Sequence, residues 1–154
     1  MKVSKKCDYA LRALMTLVEN YGVQPVSIRQ LAQQNFIPKR FLEHILLDLK
    51  AKGWVTSLPG KNGGYLLAKN PDEIFLGEIV RHFDGLLAPI ACVSVSHYRS
   101  CPLESVCRFR RLFLVIRNEI ALLLDQTSLS LAFRGEPVKR GEVFDEALIE
   151  GAGI

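Results

Sequence analysis

Apolar residues recur every three or four positions between Ser4 and Asn20, at Ala10, Leu11, Leu14, Leu17 and Val18. That spacing predicts a helix with one buried face, ended by Gly22 and Pro25. Ser27, a good N-cap, opens a short second helix through Ile28, Leu31 and Ala32 to about Asn35. Pro38 suits a first helical turn and opens a third helix bearing Phe41, Leu42, Ile45, Leu46 and Leu49, with Gly53 as its stop. Phe41, Ile45 and Leu49 are expected to pack on the first two helices. Trp54–Leu58 and Tyr65–Ala68 read as strands on either side of the turn-rich Pro59-Gly60-Lys61-Asn62-Gly63-Gly64, which makes a hairpin with a long tip. Pro71 opens another helix, through Ile74, Leu76, Ile79, Val80 and Phe83 to Gly85.

Leu86–Val106 has no clear period. From about Leu103 to Leu124 the helical spacing returns, with Val106, Phe109, Leu112, Phe113, Ile116, Ile120 and Leu123. Such a helix is about 30 Å long. So small a chain cannot cover its apolar surface, and a partner helix in a dimer is the expected cover. Residues 135–154 are acidic and Gly-containing, with a short helix expected from Glu142 to Glu150.

The fold class that follows is mainly α with a small β-hairpin wing: a winged helix-turn-helix plus a long C-terminal dimerisation helix. Residues 1–70 form the expected DNA-binding domain. Residues 71–133 hold a linker helix, the cysteine loop and the dimerisation helix, and 134–154 form an acidic tail.

Charge sharpens this picture. Residues 1–70 carry eleven Lys and Arg against four Asp and Glu, whereas 135–154 carry five acids against two bases. A basic first half suits a polyanion. A helix fits the major groove of B-DNA and presents side chains to base edges. The helix at Pro38–Lys52 would offer Lys39, Arg40, Glu43 and His44, and Ser27 heads the helix before it. Lys61 would bring charge to the wing, whose glycines allow close approach to phosphates. Double-stranded DNA is therefore the expected partner.

Other classes find less support. No run approaches the ~18 uninterrupted apolar residues of a membrane span, and Met1–Cys7 lacks the apolar core of a secretory signal. A cytoplasmic location without a membrane partner is expected. No Ser/His/Asp set, nucleotide loop or paired carboxylates suggest an enzyme, and His44, His82 and His97 are scattered.

Cys92, Cys101 and Cys107 follow C-x8-C-x5-C, unlike the C-x2-C pairs of zinc ribbons. Such spacing suits a loop wrapped around an iron–sulfur cluster. Structural zinc and free redox-active thiols are the alternatives. Cys107, near the start of the long helix, would gain from the helix dipole. Arg99, Arg108 and Arg110 would offset a cluster's negative charge. A fourth ligand must come from elsewhere: Cys7, Asp8, His97 or Glu104.

Lys6-Cys7-Asp8-Tyr9-Ala10-Leu11-Arg12-Ala13-Leu14, Phe41-Leu42-Glu43, the stretch from Gly60 to Tyr65-Leu66-Leu67, and the three cysteines together resemble one family over about residues 1–133. It is the bacterial winged-helix family that includes the iron–sulfur cluster regulator IscR, the nitric-oxide sensor NsrR and the cysteine-metabolism regulator CymR. The resemblance implies a homodimer crossing its long C-terminal helices and palindromic promoter DNA bound by Pro38–Lys52 and the wing. It further implies a [2Fe-2S] or [4Fe-4S] cluster on Cys92, Cys101 and Cys107 that sets DNA affinity. Glu43 matches a base-reading position. Arg110 stands where the cluster regulator has a histidine ligand, while Asp8 matches the nitric-oxide sensor's aspartate, which reaches across the dimer. Asp8 is thus the expected fourth ligand, with Cys7 its rival. A carboxylate is a hard, weak iron ligand, leaving one iron open to nitric oxide or oxygen. Pro59 replaces an arginine that many relatives place before the wing glycines, and the first cysteine gap is longer than in those two regulators. Relatives without a cluster bind a small ligand or a partner enzyme and generally lack the triad.

Overall fold

The computed structural model describes residues 2–144. Helix α1 (Lys5–Glu19) is capped by Ser4, whose side chain accepts from the Cys7 N–H. Its stripe of Ala10, Ala13, Leu14 and Leu17 is almost fully buried. Helix α2 (Ile28–Asn35) opens on a capping box in which Ser27 and Gln30 satisfy each other's backbone N–H groups, the expected use of a Ser three residues before a Gln. Helix α3 (Lys39–Ala51) begins one residue later than expected. Pro38 sits outside it in an extended conformation and accepts from the Phe41 and Leu42 N–H groups. Leu42, Ile45, Leu46 and Leu49 are sealed in the core. Phe41 is half exposed, its ring meeting that of Tyr9 on α1 edge-on at 6.0 Å, so Leu42 takes the core place expected of it.

Strands β1 (Val55–Leu58) and β2 (Gly64–Leu67) pair antiparallel, Val55 opposite Leu67. Val26, just before α2, adds a bridge to Tyr65 through hydrogen bonds of 2.9 and 2.8 Å. The wing is thereby sewn to the helix-turn-helix. Gly64 permits this approach: a Cβ there would lie 2.5 Å from the Val26 carbonyl oxygen.

The helix expected from Pro71 is divided. Pro71–Glu73 form a 3-10 turn, Ile74 and Phe75 are extended, and α4 runs Leu76–Asp84. The extended pair meets a segment the sequence reading left unassigned. Leu76 N–H donates to Thr127 O, Leu129 N–H donates to Ile74 O, and Phe75 bridges Ser128. That pairing breaks the helix and buries both Ile74 and Leu129. A second 3-10 turn covers Ala91–Val93. Helix α5 (Phe109–Gln126) starts six residues after the expected Leu103 and spans roughly 27 Å. Leu103 and Val106 lie in exposed turns before it. Helix α6 (Leu129–Arg134), missed in the sequence, is capped by Ser128. Helix α7 is Arg140–Val143, so most of the helix expected at Glu142–Glu150 lies outside the described residues.

The core does not stop at the boundary expected near residue 70. Ile74, Ile79 and Leu129 share one buried cluster with α1, α2, α3 and the hairpin. By contrast, none of the eighteen residues of α5 is buried in the single chain.

The close approach at Gly64 generates a test. Gly64→Ala forces the wing off Val26, and overpacking of this kind costs about 1–3 kcal/mol. A urea midpoint unchanged from the parent protein would show that the wing is not held there.

Candidate functional site

Two surfaces carry the chemistry. The first is the outer face of α3. Burial of Leu42, Ile45, Leu46 and Leu49 turns Lys39, Arg40, Glu43, His44 and Leu47 outward on the opposite side, as a period of 3.6 dictates. Lys39 and Glu43 stand one turn apart with 4.0 Å between their charged groups. Arg40 and His44 remain open to solvent. Ser27 lies at the start of α2, but its hydroxyl is committed to Gln30, donating to Oε1 at 2.8 Å. Lys61 is exposed at the hairpin tip, where Gly60 adopts a φ of 104° and its carbonyl accepts from Gly63 at 3.0 Å. The turn between α2 and α3 contains Phe36, left-handed at φ 54°.

The second surface is the cysteine loop. Cys92 sits half-buried in the Ala91–Val93 turn, Cys101 is exposed, and Cys107 is half-buried two residues before α5. All are free thiols. Cys92 and Cys107 line one cavity of about 400 Å³ together with Tyr98, Arg110, Arg111 and Arg117. Arg110 and Arg117, seven residues apart, share a face of α5 and grip the Cys92 turn. Arg110 donates to Cys92 O at 3.3 and 3.2 Å, and Arg117 donates to Val93 O at 2.8 Å. Glu104 accepts from the Tyr98 hydroxyl at 3.0 and 2.9 Å and from the Cys101 N–H at 3.1 Å, and pairs with Arg110 at 3.4 Å. Its partnership holds the Tyr98 phenol above its ordinary pKa. His97 uses its N–H on Ser94 Oγ and lines a separate cavity of about 750 Å³. Tyr98 and Arg117 had no role in the sequence reading. Only the Tyr–Glu–Arg composition of the segment hinted at the network, since the loop has no period to place them.

The two proposed fourth ligands are adjacent in sequence and differ in environment. Asp8 is partly exposed and paired with Arg12, at 2.7 Å to NH2 and 3.0 Å to Nε. Cys7 is fully buried. Burial, with the neighbouring charge and hydrogen bond of Asp84 and the charge of Asp8, pushes its thiol from 9.0 up to about 12. A group so placed stays a thiol at neutral pH, and the thiolate is the metal-binding form. Of the pair, Asp8 is the one that reaches solvent. Among the described residues, no three His, Cys, Asp or Glu side chains converge on one metal-holding point within the single chain. The donor set nonetheless suits an anionic iron–sulfur group: two thiols on one cavity, a third on the adjoining turn, and arginines to offset charge.

The Cys7 environment has a consequence for stability. Folding favours the protonated thiol, so its contribution is complete below pH 9 and is lost as pH rises toward 12. Urea unfolding of the parent protein should weaken more steeply over that window than that of Cys7→Ala. Parallel curves would refute the Asp84 and burial account.

The family model for Rrf2, described as an iron-dependent transcriptional regulator, matches residues 3–133. The chain is 39% identical to an Rrf2-like HTH-type transcriptional regulator of Rhodobacter capsulatus, over 82% of this chain and 89% of that protein. It is 32% identical to the HTH-type transcriptional regulator CymR of Bacillus subtilis, over 84% of this chain and 87% of that one. The solved structure of that global cysteine regulator superposes with a TM-score of 0.72 at 30% identity, covering 86% of this chain and 96% of the other. The structure of T. potens IscR superposes with a TM-score of 0.69 at 25% identity, covering 94% and 96%. Among the described residues no helix is long and apolar enough to cross a membrane. The chain belongs to the Rrf2 family of winged-helix, DNA-binding transcriptional regulators, which are not enzymes.

Proposed function

We propose that this regulator acts as a homodimer on palindromic promoter DNA and that an iron–sulfur cluster on Cys92, Cys101 and Cys107 sets its DNA affinity. The observation that carries the reading is the cavity where Cys92 and Cys107 meet three arginines at the start of α5. Bound thiolate clusters supply a redox- and nitric-oxide-sensitive group. The chain's own residues do the rest. Cys92, Cys101 and Cys107 would hold the cluster, Arg110, Arg111 and Arg117 would balance its charge, and Asp8 would complete the set across the dimer. Asp8 lies on α1, which packs on α3, so a ligand there pulls on the helix that reads DNA.

Dimerisation is supported by α5, where Phe109, Leu112, Val115, Leu122 and Leu123 are exposed in the single chain. Two such helices crossing would cover each other, and the two-fold axis would impose two half-sites on the operator. On each half-site Lys39, Arg40, Glu43 and His44 would enter the major groove. Arg40 suits a guanine edge or phosphate and Glu43 a cytosine amino group. Ser27 and Lys61 would lie toward the flanking phosphates.

The test is anaerobic purification with absorption spectroscopy and iron and sulfide analysis. The parent protein is expected to carry iron and acid-labile sulfide. Cys92→Ala is expected to lose both while remaining a dimer in sedimentation. A colourless parent protein, or one holding zinc, would instead point to a thiol- or zinc-switched regulator. For the reading face, Arg40→Ala should weaken operator binding by about 1–3 kcal/mol if Arg40 contacts a base. Equal affinity in a salt-matched titration would remove Arg40 from that face.

A further inference from the structure

The loop between Ala91 and α5 is poor in apolar burial, yet it has a defined shape. Residues 95–103 are exposed, and only Val93 and Ser94 are buried between Cys92 and Cys107. Its order must come from polar contacts, and those that join Cys92 to Cys101 converge on two side chains. Arg110 spans Cys92 O and the Glu104 carboxylate. Glu104 in turn holds the Tyr98 hydroxyl and the Cys101 N–H. The chain of contacts therefore runs from the backbone of one cysteine to the backbone of the next, through a guanidinium and a carboxylate. Each such pair at a half-exposed surface is weak alone, but here the contacts share two side chains, so loss of either removes more than one of them.

We propose that Tyr98, Glu104 and Arg110 form a clasp that fixes the spacing of Cys92 from Cys101 before any group binds, and that Arg110 is a positioning residue for the cysteines. Two consequences follow. Glu104 is committed to the loop, its two carboxylate oxygens engaged by Tyr98, the Cys101 N–H and Arg110. Arg110, facing the cavity lined by Cys92 and Cys107, adds a fixed positive charge that favours an anionic occupant. This second consequence rests on the cluster reading; the clasp itself does not.

The test uses the full-length, reduced, chelator-treated protein and residue-resolved amide hydrogen exchange. Arg110→Ala should speed exchange at Val93 and Ser94 by about tenfold, the change expected on losing charge-assisted hydrogen bonds. Glu104→Ala should release both the Cys101 amide and the Cys92 turn. Glu104→Gln retains an acceptor for the Cys101 N–H and loses the ion pair, so it should release the Cys92 turn alone. Unchanged amides in α1 and α3 certify that each variant is folded. Exchange in Arg110→Ala equal to that of the parent would overturn the clasp, whether or not the protein binds iron. In the anaerobically loaded protein, Arg110→Ala should also hold less iron and sulfide per chain. Equal occupancy there, with exchange accelerated, would overturn the charge and positioning role.

Discussion

The fold depends on the burial of one face of α1. Ala10, Ala13, Leu14 and Leu17 are sealed by α2, α3, α4, α6 and the second wing strand. The two alanines matter as much as the leucines, because short side chains let neighbouring helices approach closely. Each buried leucine contributes on the order of 2 kcal/mol. The larger effect is geometric: a well-packed helix transmits a displacement to its neighbours instead of absorbing it. The N-terminal end of this helix is chemically loaded. Ser4 caps it and donates its own N–H to Asp84 at 2.8 Å, Cys7 is locked beneath as a neutral thiol, and Asp8 points to solvent beside Arg12. A half-exposed carboxylate thus stands one residue from a fully buried thiol, on the helix that packs directly on α3.

The cysteine loop is built on the opposite principle. It lacks a hydrophobic core and relies on arginine, glutamate and tyrosine for its shape. Segments with few buried apolar contacts open locally at a lower free energy than the core does. The winged helix-turn-helix, by contrast, sets a dense core behind the exposed Lys39, Arg40, Glu43 and His44.

How far the sequence revealed this division follows from the same contrast. Where apolar periodicity and capping chemistry agree, as at Ser27–Asn35 or Lys39–Ala51, the reading fell within a residue of the structure. Where backbone pairing between distant segments decides, it failed. Pro71 and the apolar run after it look like one helix, and only the partner strand at Thr127–Leu129 explains the break at Ile74–Phe75. The same unseen pairing hid α6. The start of α5 was misplaced because Leu103 and Val106 continue the apolar period yet lie in exposed turns. Phe41 continues the α3 pattern, but Leu42 had the better angle into the core. For the candidate site, residue types marked the three cysteines and Asp8. Periodicity said nothing of which carboxylates and arginines would be spent on holding the loop, because a loop has no period to read.

These elements place α5 between the two halves of the molecule, and its two ends are attached differently. The C-terminal end is fixed: Thr127–Leu129 pair with Ile74–Leu76, and Asp125 closes on Gly77, where a Cβ would collide with its carboxylate, while also reaching Arg81. The N-terminal half is joined to the loop turn through two arginine-to-carbonyl grips, at Cys92 and Val93. The helix is thus tied at both ends, by backbone pairing at one and polar contacts at the other, across roughly 27 Å. Its gripped end adjoins the Cys92 turn, whereas its body packs on α4 and so is joined to α1. The apolar surface along its length lies between those two points. Whatever meets that surface therefore bears on a helix tied both to the turn that carries Cys92 and, through α4, to α1.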